Sequence, residues 1–101
     1  MRLTTEPDSR AFHGSDIPVL FDTRPAPGGS VPAPARDEIA FGKYMRGAWA
    51  TFAKDPWKGL TGYAEGWPVY DPAGKTLVRL AYNNTLGTNL EEPALYDSTC
   101  Q

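Results

Sequence analysis

One stretch of this chain, residues 37–54, carries a sustained helical pattern, and it constrains the fold more than any other feature. Asp37 and Glu38 suit the positive N-terminal end of a helix dipole, and Asp55-Pro56 ends the pattern. Apolar residues recur between these limits at three- and four-residue spacing, which places them on one helix face. They are Ile39, Phe41, Tyr44, Met45, Ala48, Trp49 and Phe52. The sequence therefore predicts one long amphipathic helix.

Packing must hold this helix together, because Gly42 and Gly47 each cost on the order of 1 kcal/mol relative to alanine. Burial of the large apolar side chains, at roughly 1.5–3 kcal/mol each, more than offsets that cost. The side chains expected to be buried in this way are Phe41, Met45, Trp49 and Phe52. The helix therefore needs a large partner surface.

Ten prolines and ten glycines among 101 residues leave little room for further regular structure. Residues 24–35 are rich in both and indicate a surface loop. Asp71-Pro72-Ala73-Gly74 predicts a turn, and Glu92-Pro93 can begin a short terminal helix. Residues 76–82 favour a strand, with a second short strand near Leu90 returning beside it. The elements then amount to one long helix, one or two short helices and a strand pair.

Composition excludes several classes of partner. The formal net charge of −2, the isoelectric point near 5.2 and the scattered Lys and Arg residues give no electrostatic footprint for nucleic acid. No apolar run approaches the ~20 residues of a membrane span. Residues 1–10 form a polar lead-in without the apolar region of a signal peptide, so localisation stays open. Cys100 and His13 alone are too few ligands for zinc, and we expect no metal.

His13, the one histidine of the chain, is the sharpest candidate for chemistry because its unperturbed pKa allows proton exchange near neutral pH. It precedes a mostly apolar run, Ile17–Phe21, which we expect to be buried as a short helix or as an extended segment. Ser15 and Asp16 are candidate caps of such a helix, and Asp16 could instead orient the imidazole. His13 is either a general base for a hydroxyl nucleophile or a surface or capping histidine.

A self-contained catalytic triad is not expected. None of the four serines lies in the G-x-S-x-G elbow that exposes a nucleophile.

Asn83-Asn84-Thr85 is an N-glycosylation sequon in a predicted turn, a triplet that often arises by chance. The three tryptophans could stack on a base or sugar, but packing in a core or interface is the stronger expectation without basic neighbours.

Three segments, in this order and spacing, resemble the C-terminal end of the type-B carboxylesterases, the α/β-hydrolase family that includes fungal lipases and cholinesterases. Residues 11–23 are similar to the family's catalytic-histidine segment, a His-x-x-acid-Ile-Pro-apolar-Phe pattern. Residues 44–56, YMRGAWATFAKDP, are similar to the helix that follows it. The closing region is similar at Trp67-Pro68-Val69-Tyr70, at Leu77–Leu80 and at Tyr96–Cys100.

The resemblance implies an α/β fold in which residues 1–101 are a partial, C-terminal type-B carboxylesterase domain that lacks the central parallel sheet. It implies that His13 is the triad histidine, that the substrate is a carboxylic ester and that no cofactor is needed. Asp16 matches an acidic position near the histidine and not the triad acid. The family is often secreted.

The nucleophile elbow, the oxyanion-hole loop and the triad acid of the family have no counterpart in this sequence. We therefore expect the chain to be inactive alone, with the N-terminal part of a hydrolase as its partner. The alternative is a non-catalytic module, derived from a truncated esterase, that binds a protein through its aromatic surface.

Overall fold

The computed structural model describes residues 13–14, 16–23 and 36–100. The polar lead-in predicted for residues 1–10 and the loop predicted for residues 24–35 lie outside these described residues, as does the candidate cap Ser15.

Helices dominate the described residues. The α-helices are α1 (Ile17–Leu20), α2 (Arg36–Lys54) and α3 (Ala94–Asp97), and 3₁₀ segments lie at Gly59–Gly62 and Tyr82–Asn84. The long helix predicted over residues 37–54 is confirmed to within one residue. No helix in the described part of the chain combines the length and hydropathy that a bilayer span requires.

The core lies on one face of α2. Phe41, Met45 and Ala48 of this helix are buried, and Ala81 from the C-terminal half of the chain is buried against Phe41 and Met45. Partly buried apolar side chains from α1, from α2 and from the segment before Ala81 complete this cluster. They are Val19, Leu20, Tyr44 and Leu80.

Trp49 and Phe52, in the C-terminal half of α2, stay exposed, contrary to their predicted burial. The exposed fractions are 61% for Trp49 and 52% for Phe52. After α2 the chain returns along another side of the helix. Gly59 packs closely against Thr51 there, since a Cβ added to Gly59 would lie 2.7 Å from the Thr51 carbonyl oxygen. Thr51 and Trp49 are separated by roughly 200° around an α-helix, so the returning segment does not cover Trp49.

The predicted α/β fold class and its strand pair are wrong. The described residues contain neither a strand nor a sheet, and only an isolated antiparallel bridge joins Leu77 to Glu91. Two backbone hydrogen bonds of 3.0 and 3.1 Å make this bridge. The backbone then leaves the extended region at Ala81 and Asn89, where φ is 54° and 45°. Residues in the left-handed region cannot continue a β-ladder, so the pairing stops.

Two local predictions in the C-terminal half are confirmed. At the turn, the Gly74 N–H donates to the Asp71 carbonyl at 3.1 Å, and the Ala73 N–H donates to Asp71 Oδ1 at 2.9 Å. The short helix α3 follows Pro93, which is fully buried. Both features depend on local properties of aspartate and proline, so they can be predicted from the sequence alone.

Substitution of Gly42 tests the contact between α1 and α2. An added Cβ would lie 2.7 Å from the Val19 carbonyl oxygen and 3.3 Å from Val19 Cγ1. Gly42→Ala should therefore lower the free energy of unfolding by about 1–3 kcal/mol, although alanine favours a helix. Denaturant unfolding followed by circular dichroism measures this change.

Gly62→Ala is the matched control, because nothing lies within 4 Å of the Cβ that it adds. We expect it to change stability by less than about 1 kcal/mol. Equal effects of the two substitutions would contradict the close contact at Gly42.

Candidate functional site

His13 lies in a turn that leads directly into α1, and its side chain is exposed. The following Gly14 has a φ of +84°, a conformation that favours glycine, and its carbonyl accepts a 3.2 Å hydrogen bond from the Ile17 N–H. The sequence places a histidine where the backbone reverses before a helix. The turn therefore presents the imidazole to solvent at the edge of the packed structure.

The run Ile17–Phe21 forms a helical turn and not a buried segment. Its ends are exposed, at 54% for Ile17 and 72% for Phe21, and only Val19 and Leu20 are half-buried. These two central side chains contact the core on α2. The predicted burial of the whole run is therefore wrong, while the short-helix alternative is confirmed.

Two residues of α2 hold α1 in place. Gly42 allows the close approach of Val19, and Arg46 Nη1 donates a 2.9 Å hydrogen bond to the Val19 carbonyl oxygen. This guanidinium satisfies a carbonyl that has no partner within a helix of one turn. Because His13 is only four residues before Ile17, the position of the imidazole depends on this anchoring.

No partner for catalysis surrounds the imidazole within the described residues. No hydrogen bond or ion pair joins His13 to a hydroxyl or a carboxylate there, and no cluster of three potential metal ligands occurs. Asp16 occupies the N-cap position of α1 without a capping hydrogen bond from its side chain. The arrangement offers an accessible proton acceptor and, in this part of the chain, nothing that would serve as its nucleophile.

A second polar cluster links α2 to the segment of residues 63–67, and sequence reasoning missed it. Tyr44 Oη donates to Glu65 Oε1 at 2.9 Å and accepts from Trp67 Nε1 at 2.9 Å. Tyr63 Oη donates to the Tyr44 carbonyl oxygen at 2.7 Å. The Tyr44 ring lies 5.6 Å from the Tyr63 ring and 6.2 Å from the Trp67 ring, between centroids.

The cluster shifts two pKa values in opposite directions. Burial, followed by the hydrogen bond to Glu65, raises the pKa of Tyr44 from 10.0 to about 12. Burial by itself would raise the pKa of Glu65, but hydrogen bonds from its own backbone, from Tyr44 and from Thr88 lower it below its ordinary value. The phenol thus stays protonated and the carboxylate stays charged at neutral pH.

This cluster is a structural one. Each hydroxyl and indole N–H in it has a protein partner, and no buried side-chain nitrogen or oxygen of the described residues lacks one. The aromatic residues at positions 44, 63 and 67 were visible in the sequence, but nothing there pairs Tyr44 with Glu65, which lies 21 residues further along. His13 therefore remains the candidate functional residue.

Tyr44→Phe should lower the free energy of unfolding by about 1–3 kcal/mol, because it leaves the half-buried Trp67 Nε1 without its acceptor and removes the bond to Glu65. Thermal or denaturant unfolding measures the change. Tyr70→Phe, which alters an exposed ring of the same type, should stay within about 0.5 kcal/mol of the wild type. A Tyr44→Phe protein as stable as Tyr70→Phe would contradict the assigned hydrogen bonds.

The raised pKa of Tyr44 also predicts how stability changes in alkali. The folded-state pKa lies above the ordinary value of 10.0, so the stabilisation from this phenol is fully present below pH 10 and is lost as pH rises toward about 12. The free energy of unfolding should fall more steeply with pH in the wild type than in Tyr44→Phe over this range. Parallel curves for the two proteins would show that Tyr44 titrates normally.

Comparison with known proteins identifies no relative: no family model, no curated protein and no solved structure matches this chain.

Proposed function

We propose that this chain is the C-terminal part of a carboxylic-ester hydrolase of the type-B kind, and that His13 is its general base. The proposal concerns the activity of the histidine segment and does not include the α/β architecture, which the described residues contradict. Its sequence support is the resemblance of three ordered segments. The observation that carries it is an exposed imidazole on a turn whose position is held by α2.

The chemistry assigned to His13 follows from the triad mechanism. In acylation, the imidazole takes the proton of a serine hydroxyl as the serine attacks the ester carbonyl, and it gives that proton to the departing alcohol. In deacylation, it takes a proton from water, which attacks the acyl-enzyme. The serine, the acid and the oxyanion-hole donors would come from the N-terminal part of the hydrolase, and no cofactor takes part.

Solvent exposure is what such a shared site requires. In the triad mechanism one ring nitrogen binds the acid and the other accepts the serine proton, so neither nitrogen can be held by a hydrogen bond to a group outside the triad. His13 has no such bond to the other described residues. Phe21, which directly follows α1 and is 72% exposed, would add apolar contact area to a docked partner.

A second candidate function has its own observation. Trp49, Phe52 and Trp57 expose 61%, 52% and 86% of their surfaces around the C-terminal end of α2. Large exposed aromatic residues are typical of protein-binding surfaces. A non-catalytic module that binds a protein partner would use these residues and would not need His13.

Complementation tests the hydrolase proposal. The full chain is produced together with the N-terminal part of a type-B carboxylesterase that ends before its own histidine segment, and turnover of a chromogenic ester is measured. We expect hydrolysis by the mixture and none by either part alone. His13→Ala should lower turnover by at least about a thousandfold, because loss of one triad member removes most of the catalysis.

Lys54→Ala is the control for complementation. Lys54 is the exposed last residue of α2, beyond the residues that contact α1, and it has no place in the proposed chemistry. A mixture that associates without turnover, or turnover that His13→Ala leaves unchanged, would overturn the proposal. Ester hydrolysis by the isolated chain that disappears in His13→Ala would overturn the assignment of a partial site. Association that survives His13→Ala but fails in Trp49→Ala would favour the binding module.

A further inference from the structure

The turn at Asn83-Asn84-Thr85 is the feature that neither candidate function uses. All residues from Tyr82 to Leu86 are exposed, whereas Ala81 immediately before them is buried in the core. Backbone hydrogen bonds of 2.9 Å from the Asn84 N–H to Ala81 and 3.0 Å from the Thr85 N–H to Tyr82 define the turn. The sequon is therefore exposed to solvent on a turn that directly follows a buried core residue, Ala81.

We propose that Asn83 is an N-glycosylation site. The side-chain amide of Asn83 makes no hydrogen bond to the other described residues, so Nδ2 is available for reaction. The contrast with Asn89 is direct, because Nδ2 of Asn89 donates to the carbonyl oxygens of Arg79, Thr85 and Gly87 at 3.0, 3.0 and 3.3 Å. The side chain of Asn89 is therefore tied to the loop backbone, whereas that of Asn83 is not.

The backbone conformation accounts for asparagine at positions 83 and 84, but it gives no reason for a threonine at position 85. Asn83 and Asn84 have φ values of 51° and 58°, in the left-handed region where asparagine is enriched. Thr85 is extended, with φ −100° and ψ 131°, and any residue adopts that conformation. Its hydroxyl makes one long hydrogen bond, of 3.3 Å, to the Asn83 carbonyl oxygen. A hydroxyl two residues after the asparagine is what the glycosylation motif demands.

The reaction has a defined balance. The donor is an oligosaccharide joined through a pyrophosphate to a lipid, and the bond that breaks joins the sugar C1 to a pyrophosphate oxygen. The bond that forms joins the same C1 to Nδ2 of Asn83, which loses one proton, while the lipid pyrophosphate departs. Because the acceptor and its neighbours are exposed, the first sugar displaces no buried contact of the described structure.

This modification is independent of the hydrolase proposal, because the sequon makes no contact with the His13 turn that the structure records. The residue before it, Tyr82, packs its ring against the Arg79 guanidinium, with 3.7 Å from Cζ to the ring centroid. Arg79 in turn donates to the Asn89 carbonyl oxygen at 2.7 Å. The acceptor therefore stands on a loop that internal contacts already order.

Cell-free translation of the full chain with a cleavable secretion leader, in the presence of microsomes, tests the site. We expect one increase in apparent mass that a peptide-N-glycosidase reverses. Enzymatic release in heavy-oxygen water hydrolyses the modified amide, so Asn83 should become an aspartate that carries one heavy oxygen. This residue lies in the tryptic peptide that begins at Leu80, since no Lys or Arg follows Arg79 in the sequence. Asn83→Gln and Thr85→Ala should each abolish the shift.

Asn84→Gln and Thr85→Ser are the matched controls, because both keep the motif while altering the same turn, and both should retain the shift. Thr85→Ala keeps Asn83 itself, so its loss of modification cannot come from a change at the acceptor. An unmodified wild-type chain, in microsomes that glycosylate a reference protein, would overturn the proposal. A shift that persists in Asn83→Gln would overturn it as well.

Discussion

The buried face of α2 is the contact on which the rest of the described structure depends. Phe41, Met45 and Ala48 are the side chains of this helix that are almost fully covered, and both α1 and the Leu80-Ala81 segment pack there. A helix of this length that contains two glycines is marginal by propensity alone, so tertiary packing must supply its stability. The packing is also specific in shape. At Gly42 a backbone carbonyl of α1 comes closer than any side chain would permit.

Tyr44 extends this contact to the other side of the core. Its ring packs with Tyr63 and Trp67, while its hydroxyl accepts from the indole of Trp67 and donates to Glu65. One side chain thereby ties the segment after α2 to the helix through both apolar and polar interactions. A partly buried polar network of this kind stabilises most when every member has a partner. Because each hydroxyl and indole N–H here has one, the network fixes the path of residues 63–67.

The sequence predicts what depends on local chemistry and fails where distant residues decide. The bounds of α2, the Asp71 turn and the start of α3 follow from periodicity, capping and proline, and they are confirmed. The strand pair fails because alternation in residues 76–82 does not reveal that Ala81 and Asn89 adopt positive φ. Likewise the periodicity that places Trp49 beside Met45 cannot show that only Met45 is covered. His13 is identifiable from its residue type, whereas its exposure and its lack of a nearby described partner are properties of the fold.

The position of His13 illustrates how a candidate site can depend on contacts far from its own chemistry. Helix α1 is a single turn, and helices this short are not stable in isolation, so its conformation must come from α2. The route runs from the core through Gly42 and the Arg46 guanidinium to Val19, and from α1 through the Gly14 carbonyl to the histidine turn. Each link is a single close contact or hydrogen bond. The placement of the imidazole is therefore only as firm as the packing between α1 and α2, and a partner that docked against Ile17 and Phe21 would reinforce the same contact that positions the base.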